Sequence, residues 1–489
     1  MNDRFAARAC YVARTASGVY FSSNVAFLLL LARERYRPDV VGWLEVVSYA
    51  HTNGVRTTAA GIQRLLPATH MTLTPSHVED RRYWRLEHRP DSRLDPGPYS
   101  AEVFAAFRAG AARRARLVGD GILALSGGLD SRLVAAALPD NVDFEAFTFV
   151  DVPGASRTAQ TDAAAAVSAS LGLRHHIEPL RGGFTRPVDV ISLTGGMRPY
   201  HHMAIAMAYM RAILSNGRRY LLGGGPGDVL AGSYIPSPLY LDPGRVAECI
   251  EDAYQRRMAR SELWRLVFRD DVVGDARPQV ENALAGSLAA TTGPTAAHRI
   301  TAWGMVCRQP AFTFTSVFHT HPDVTEAWSH LDYRYSDLML RLPAEWLYGE
   351  AFYSYMIYTE LPALRHVPYA NIGAPLTGRR PSLVRPRESV QSTARRLALR
   401  LGARAVKRLA TRLLPQPRTR QPWLVLDDER LHAEVKEILH SVPELGEVLD
   451  IARCDDFLLG IRDGRHTSSS HEEILGGLTS MCVSATTLP

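Results

Sequence analysis

Six consecutive residues, Ser126-Gly127-Gly128-Leu129-Asp130-Ser131, carry the strongest chemical signal in the chain. They follow an apolar run at 121–125 that reads as a buried strand and precede a helical pattern at 131–138. A glycine-rich turn from strand to helix exposes backbone N–H groups at a helix N-terminus, where they and the helix dipole favour a polyphosphate. Gly127 and Gly128 allow the backbone to approach such a ligand closely, and Ser126 and Ser131 add hydroxyl donors. Asp130 would repel phosphate unaided, so its expected role is to bind Mg2+ bridging phosphate oxygens. The turn lacks the lysine of a Gly-Lys-Ser/Thr loop, so it is not the phosphate loop of kinases and GTPases.

The elements that must position this turn alternate. Strands are expected at 121–125, 144–150, 174–178 and 219–222, and helices at 131–138, 161–171 and 203–216. Strand and helix alternating at this spacing predict a parallel α/β sheet. Upstream, 99–117 has helical spacing, and Pro96-Gly97-Pro98 reads as a boundary. Residues 1–90 read as short strands and turns with helices at 25–33 and 39–49. Residues 245–375 read as mostly helical, 395–414 as an amphipathic helix, and 421–489 as a small helical tail with a mobile end.

Composition sets bounds on this reading. The 489 residues suggest two to three domains, and 46% hydrophobic residues suffice for a sizeable core. The net charge of +6 is local: residues 379–420 hold thirteen Lys and Arg against the single acid Glu388, a surplus of twelve, which leaves −6 elsewhere. Nucleic-acid binding by the whole chain is therefore not expected. The basic stretch reads as a solvated linker helix, with an acidic peptide, nucleic acid or an anionic membrane surface as alternatives. Lys407 and Lys436 are the only lysines, so nothing earlier can use one in chemistry. Five scattered cysteines without a CxxC pair argue against a disulfide framework or zinc site and fit a reducing, cytoplasmic setting. The apolar run at 25–32 is too short to span a bilayer, so no transmembrane segment is expected.

The first motif matches the pyrophosphate loop, Ser-Gly-Gly-x-Asp-Ser, of the ATP pyrophosphatase superfamily. About a hundred residues later, Gly223-Gly224-Gly225-Pro226-Gly227-Asp228-Val229-Leu230-Ala231-Gly232 resembles the asparagine synthetase pattern Ser-Gly-Glu-Gly-Ala-Asp-Glu-Leu-Phe-Gly-Gly. Phe147-Thr148-Phe149-Val150 resembles that family's second strand, His175-His176 a pair after the next helix, and Leu331-Asp332-Tyr333-Arg334 with Leu342-Pro343 its Phe-Leu-Asp segment and the Leu-Pro after it. The chain is thus similar to asparagine synthetase and its relatives, beta-lactam synthetase and the lasso-peptide macrolactam cyclases, over residues 15–376. The resemblance implies an adenine nucleotide alpha hydrolase-like domain at 96–376 with a helical C-terminal part, a basic linker at 377–420 and a tail at 421–489. It implies that Leu123, Val150, Gly223 and Gly224 contact the nucleoside of ATP, that Ser126, Gly127, Gly128 and Ser131 hold pyrophosphate, and that Asp130 and Asp228 bind Mg2+. Two carboxylates on two strand ends would stabilise charge as pyrophosphate leaves. His175 and His176, like His201-His202, are expected to be structural.

Residues 1–95 resemble the latter half of the family's glutaminase domain, through Gly18–Ser22, 61–67 and Tyr83-Trp84-Arg85-Leu86. The front half is missing, and Asn2 stands where that domain uses cysteine, so glutamine hydrolysis is not expected; a misplaced start codon is the alternative. Two further departures concern the synthetase site. The family's glutamate falls on Gly225, and the lysine expected near Arg365-His366-Val367-Pro368 is absent, with Arg365, Arg379 and Arg380 as candidate substitutes. Adenylation of a small-molecule or peptide carboxylate, with coupling to an amine other than glutamine-derived ammonia, is the expected activity. A specialised peptide or natural-product pathway, with a precursor peptide or partner proteins, is favoured over asparagine synthesis from aspartate and ammonia. A degenerate scaffold subunit and a thiolation enzyme of the same superfamily are the competing readings.

Overall fold

The computed structural model describes residues 1–74, 77–150, 158–179, 186–316, 321, 323–384 and 428–489. Near the N-terminus, β1 (Tyr11–Thr15) lies between β2 (Gly18–Ser22) and β3 (Ile62–Arg64) in an antiparallel sheet, and β4 (Thr69–Thr74) pairs with β5 (His77–Arg82). Two helices, α1 (Val25–Ala32) and α2 (Val40–Tyr49), lie between β2 and β3. Asp39 caps α2 by accepting from the Gly42 amide at 2.8 Å, satisfying one of the amides that a helix start leaves orphaned. Asn2 sews the first residues down: its side chain donates to the Leu66 carbonyl at 2.8 Å and accepts from the Thr69 amide at 2.8 Å.

The boundary expected at Pro96-Gly97-Pro98 is a helix start. Pro96 opens α3 (Pro96–Val118), with Asp95 as its cap. Proline suits a first helical position because its fixed φ is helical and its missing N–H would have had no partner.

Alternation then builds the central sheet from β6 (Asp120–Ala124), β7 (Asp143–Val150), β8 (His175–Pro179) and β9 (Tyr220–Gly223), with α4 (Leu129–Ala136), α5 (Ala159–Leu171), α6 (Pro187–Thr194) and α7 (Tyr200–Ser215) between them. A fifth strand, β10 (Thr325–Trp328), completes it in the spatial order β10-β9-β6-β7-β8, every pair parallel. Ile122 and Leu123, neighbours on opposite faces of β6, are both fully buried, as a sheet covered on both sides requires. After β6 the chain moves to one side through β7 and β8, then returns to the other through β9 and β10. The point where the order reverses, between β6 and β9, is where open α/β sheets bind ligands at their strand ends.

Between β9 and β10 the chain is helical: α8 (Gly227–Ala231), α9 (Val246–Met258), α10 (Asp270–Ala289) and α11 (Ala296–Trp303). After β10 come the helices Tyr333–Met339 and Ala351–Glu360 and a short hairpin of Pro368–Tyr369 with Ala374–Pro375. The amphipathic helix expected at 395–414 lies outside the described residues.

The expected tail forms three helices, Glu429–Ser441, Ile451–Arg462 and Ser469–Thr487. The last is no mobile end. It packs against α2, α6 and α7, and Ile474 through Val483 are buried. Small residues make this possible, since a Cβ on Gly476 would overlap the His201 ring and one on Gly477 would meet Val47 at 2.5 Å. All five cysteines are free thiols, and among the described residues no helix is long and apolar enough to cross a membrane.

Candidate active site

The turn after β6 is wired by its two serines. The Ser126 amide donates to Ser131 Oγ at 3.0 Å, the two hydroxyls lie 3.0 Å apart, and the Gly128 amide donates to Ser126 Oγ at 3.1 Å. This network fixes the loop while leaving Gly128 as an N-cap with no side chain over the start of α4. Leu123 lies in β6 opposite Leu222 of β9, and Val150 ends β7; both are buried.

The second turn meets the first directly. The Asp228 amide donates to Asp130 Oδ2 at 2.9 Å, joining residues 98 positions apart. A Cβ on Gly224 would stand 2.9 Å from the Ser131 nitrogen, and one on Gly227 would stand 2.7 Å from Asp130 Oδ1 and 2.5 Å from His330 Nε2. Glycine at both positions is therefore a packing requirement, not a composition bias. Gly225 is different, because the nearest atom to its Cβ would be Thr313 Cγ2 at 3.8 Å.

Asp130 is half-buried, and its Oδ1, closed off from solvent, has no hydrogen-bond partner. Burial, and then the charge of Asp228, push its carboxyl well above the usual carboxylate range. Asp228 accepts from Ser233 Oγ at 2.9 Å. A half-buried carboxyl with an unpaired oxygen beside a second carboxylate is a hard-oxygen donor set that fits Mg2+. Of the ten residues expected at the site, Leu123 lies in β6, Val150 ends β7 and Gly223 ends β9, Ser126, Gly127, Gly128 and Gly224 lie in the turns after β6 and β9, and Asp130, Ser131 and Asp228 lie in the first turns of α4 and α8.

Sequence reasoning missed four neighbours. Glu350 precedes the helix Ala351–Glu360 in a left-handed conformation, φ 55°, directly after Gly349 at φ 63°. Left-handed backbone at a non-glycine residue is strained and concentrates at functional sites. Burial, and then Asp228, push Glu350 up to about 7. Tyr353, one helical turn on, sits beside Asp130, and its hydroxyl lies 2.8 Å from His330 Nε2. Burial pushes His330 down to about 3, so it is neutral. Finally Tyr369, in the hairpin, shares the electrostatic environment of Glu350, and the adjacent Ala370 amide donates to the Gly127 carbonyl at 3.1 Å. The hairpin thus closes over the first turn. No local signal in the sequence ties residues 348–375 to position 130, because the connection is made only by folding.

Other expected residues take structural places. His175 Nε2 lies 2.8 Å from Thr148 Oγ1, and His176 pairs with Glu145 at 2.9 Å while stacking on Phe147. Asp332 caps Tyr333–Met339 and bonds Arg113 at 2.6 Å. Of the candidate lysine substitutes, Arg365 donates to the Tyr358 carbonyl at 2.8 Å and Arg380 pairs with Asp95 at 2.6 Å.

Compared with known proteins, the chain matches no family model, and no curated protein sequence matches it significantly.

Proposed function

We propose that this chain is an ATP-dependent, AMP- and pyrophosphate-forming amide synthetase of the asparagine synthetase type. It adenylates a carboxylate and passes the acyl group to an amine, in specialised peptide or natural-product biosynthesis. The observation that carries the reading is the 2.9 Å bond from the Asp228 amide to Asp130, which sets two carboxylates and two glycine turns together at the sheet's switch point.

In this reading the residues divide the work. Gly127, Gly128 and the serine pair hold the phosphates with donors fixed in advance, so little reorganisation is needed as charge develops on the leaving group. Asp130 and Asp228 would hold Mg2+, with Glu350 nearby, and the ion would supply positive charge between the phosphates. Leu123, Val150, Gly223 and Gly224 form the floor for the nucleoside. The hairpin over Gly127 excludes water from the acyl-adenylate, and holding the amine beside it replaces a bimolecular collision.

ATP–pyrophosphate exchange with Mg2+ and a panel of carboxylates, aspartate included, tests the reading. Exchange that requires one carboxylate and disappears in Asp130→Asn is the expected result. Exchange with aspartate alone would favour asparagine synthesis. Failure to bind ATP would overturn the proposal in favour of a non-catalytic scaffold.

A further inference from the structure

Two neighbouring cavities, of about 530 Å3 and about 450 Å3, are both lined with arginine. Arg8, Arg113, Arg114 and Arg334 line the first, and Arg85, Arg89 and Arg341 line the second. A single side chain stands between them. The Arg4 guanidinium lies 4.2 Å from the ring centroid of Tyr333, which lines the first cavity, and 5.0 Å from that of Trp84, which lines the second. Together they make one groove with aromatic rings at its middle. The groove borders the candidate active site. Glu326 of β10 lines the first cavity, and a Cβ on Gly223, in the expected nucleoside floor, would stand 2.5 Å from its Oε1.

The acids of the groove are engaged, and three of its arginines are not. Asp3 accepts from the Phe5 amide at 2.9 Å and the Ala7 amide at 3.1 Å, Asp332 holds Arg113, and Asp337 holds Arg4 at 3.0 Å. Arg89 lies 3.2 Å from Glu87, and Arg341 lies 3.3 Å from Asp91. Burial pushes Glu326 up to about 7, which removes much of its negative charge at neutral pH. Arg8 donates to the Glu326 backbone carbonyl at 3.1 Å. Among the described residues, neither Arg8 nor the exposed Arg85 and Arg334 makes an ion pair. Outside residues 379–420 the chain is net negative, so this concentration of arginine is local.

We propose that the groove holds an extended acidic segment of a peptide, with carboxylates on Arg8, Arg334 and Arg85 and its chain across Tyr333 and Trp84. A guanidinium pairs a carboxylate through two parallel hydrogen bonds. An extended chain spaces its residues about 3.3–3.6 Å apart, so acidic side chains can meet these arginines while neutral ones pass Glu87, Asp332 and Asp337. A nucleic-acid backbone cannot select in this way, because every unit carries a phosphate. The site stands without the adenylation reading, and rests on it only where the segment belongs to the substrate.

The test is fluorescence anisotropy, on the full chain without nucleotide, of a labelled eight-residue peptide alternating glutamate and alanine, against its glutamine counterpart. Wild type is expected to bind the acidic peptide at least tenfold more tightly. Arg8→Gln/Arg334→Gln and Arg85→Gln are each expected to weaken it at least threefold, with the melting temperature kept and affinity for a non-hydrolysable α,β-methylene ATP within twofold. Equal affinity for the two peptides in wild type overturns the proposal. So does acidic-peptide affinity kept in the variants, which assigns it to the basic residues 379–420. An eight-nucleotide oligothymidylate binding at least as tightly through the same arginines also overturns it. Exchange assays separate the two sources of the segment. In Arg8→Gln/Arg334→Gln, a raised KM for a peptide acid carrying it, with kcat kept, marks the substrate's own segment; an unchanged KM with weakened peptide binding marks a separate protein. Failure of wild type to bind the ATP analogue, with the peptide preference intact, sinks the adenylation reading and leaves the groove standing.

Discussion

Arg132, buried in the first turns of α4, donates to the Pro368 carbonyl at 2.7 Å and to the Val367 carbonyl at 3.2 Å. It ties the helix behind the first glycine turn to the hairpin that closes over that turn. Burial pushes its guanidinium down to about 10, still charged at neutral pH. Arg132→Met leaves two carbonyls without their donor, at a cost of roughly 1–3 kcal/mol for each group that stays buried. The expected outcome is a loss of about 2–4 kcal/mol in urea unfolding and a rise of several-fold or more in the KM for ATP. Unchanged KM in the destabilised variant would show that the hairpin does not govern nucleotide binding.

Neighbouring glycines in the second turn predict opposite results. Gly224→Ala forces a methyl to within 2.9 Å of the Ser131 nitrogen and 3.0 Å of Asp130 Cβ, so the turns must part. Exchange activity is expected to fall at least a hundredfold, with a stability loss of about 1–3 kcal/mol. Gly225→Ala meets nothing nearer than 3.8 Å and is expected to leave both within experimental error. Parallel exchange assays and melting curves on the pair decide this.

A pH dependence of stability follows from Glu45. This buried residue of α2 accepts from the Asn53 amide at 2.9 Å, and burial pushes its carboxyl up to about 7 from 4.5. A folded-state value above the unfolded one means that the native protein holds the proton more tightly. The contribution is full below about pH 4.5, falls as pH rises to about 7, and is level beyond. Glu45→Gln removes this titration, so its stability relative to wild type is expected to improve by about 3 kcal/mol between those limits. A difference that stays flat across that range in denaturant titrations would refute the assignment.

Gly476→Ala tests the seating of the last helix. The added methyl overlaps His201 and must displace its ring or the helix. A loss of roughly 1–3 kcal/mol is expected, because the displaced helix also carries Ser480, whose Oγ donates to the Arg198 carbonyl at 2.8 Å one turn away. Thermal melts of the variant against wild type measure it, and an unchanged melting temperature would refute the tight seating.

The residues that act locally were legible in the sequence. The strand, turn and helix around 121–138 are read from apolar run, glycines and helical spacing, and the structure has them at Asp120–Ala124 and Leu129–Ala136. The parallel sheet followed from alternation. β10 did not, because Thr325-Glu326-Ala327-Trp328 is four residues with no β-rich run and becomes a strand only by pairing with β9. Glu350 was hidden for a related reason: its left-handed backbone and nearness to Asp228 belong to the fold. The helical tail was expected, but its mobile end was not what folds: Gly476, Gly477, Thr479 and Ser480 give no apolar stripe that would announce a buried helix. In the core they are the small ones that let helices approach closely.

That helix also orders events during synthesis. The groove among α2, α6 and α7 is filled by residues made long afterwards, as the 282-residue separation of Ser480 from Arg198 measures. A ribosome adding about 5–20 residues each second leaves that apolar groove open for many seconds after its walls exist. The nascent chain is therefore a natural client for chaperones, and slowing translation between α7 and residue 469 is the change most apt to lower its yield.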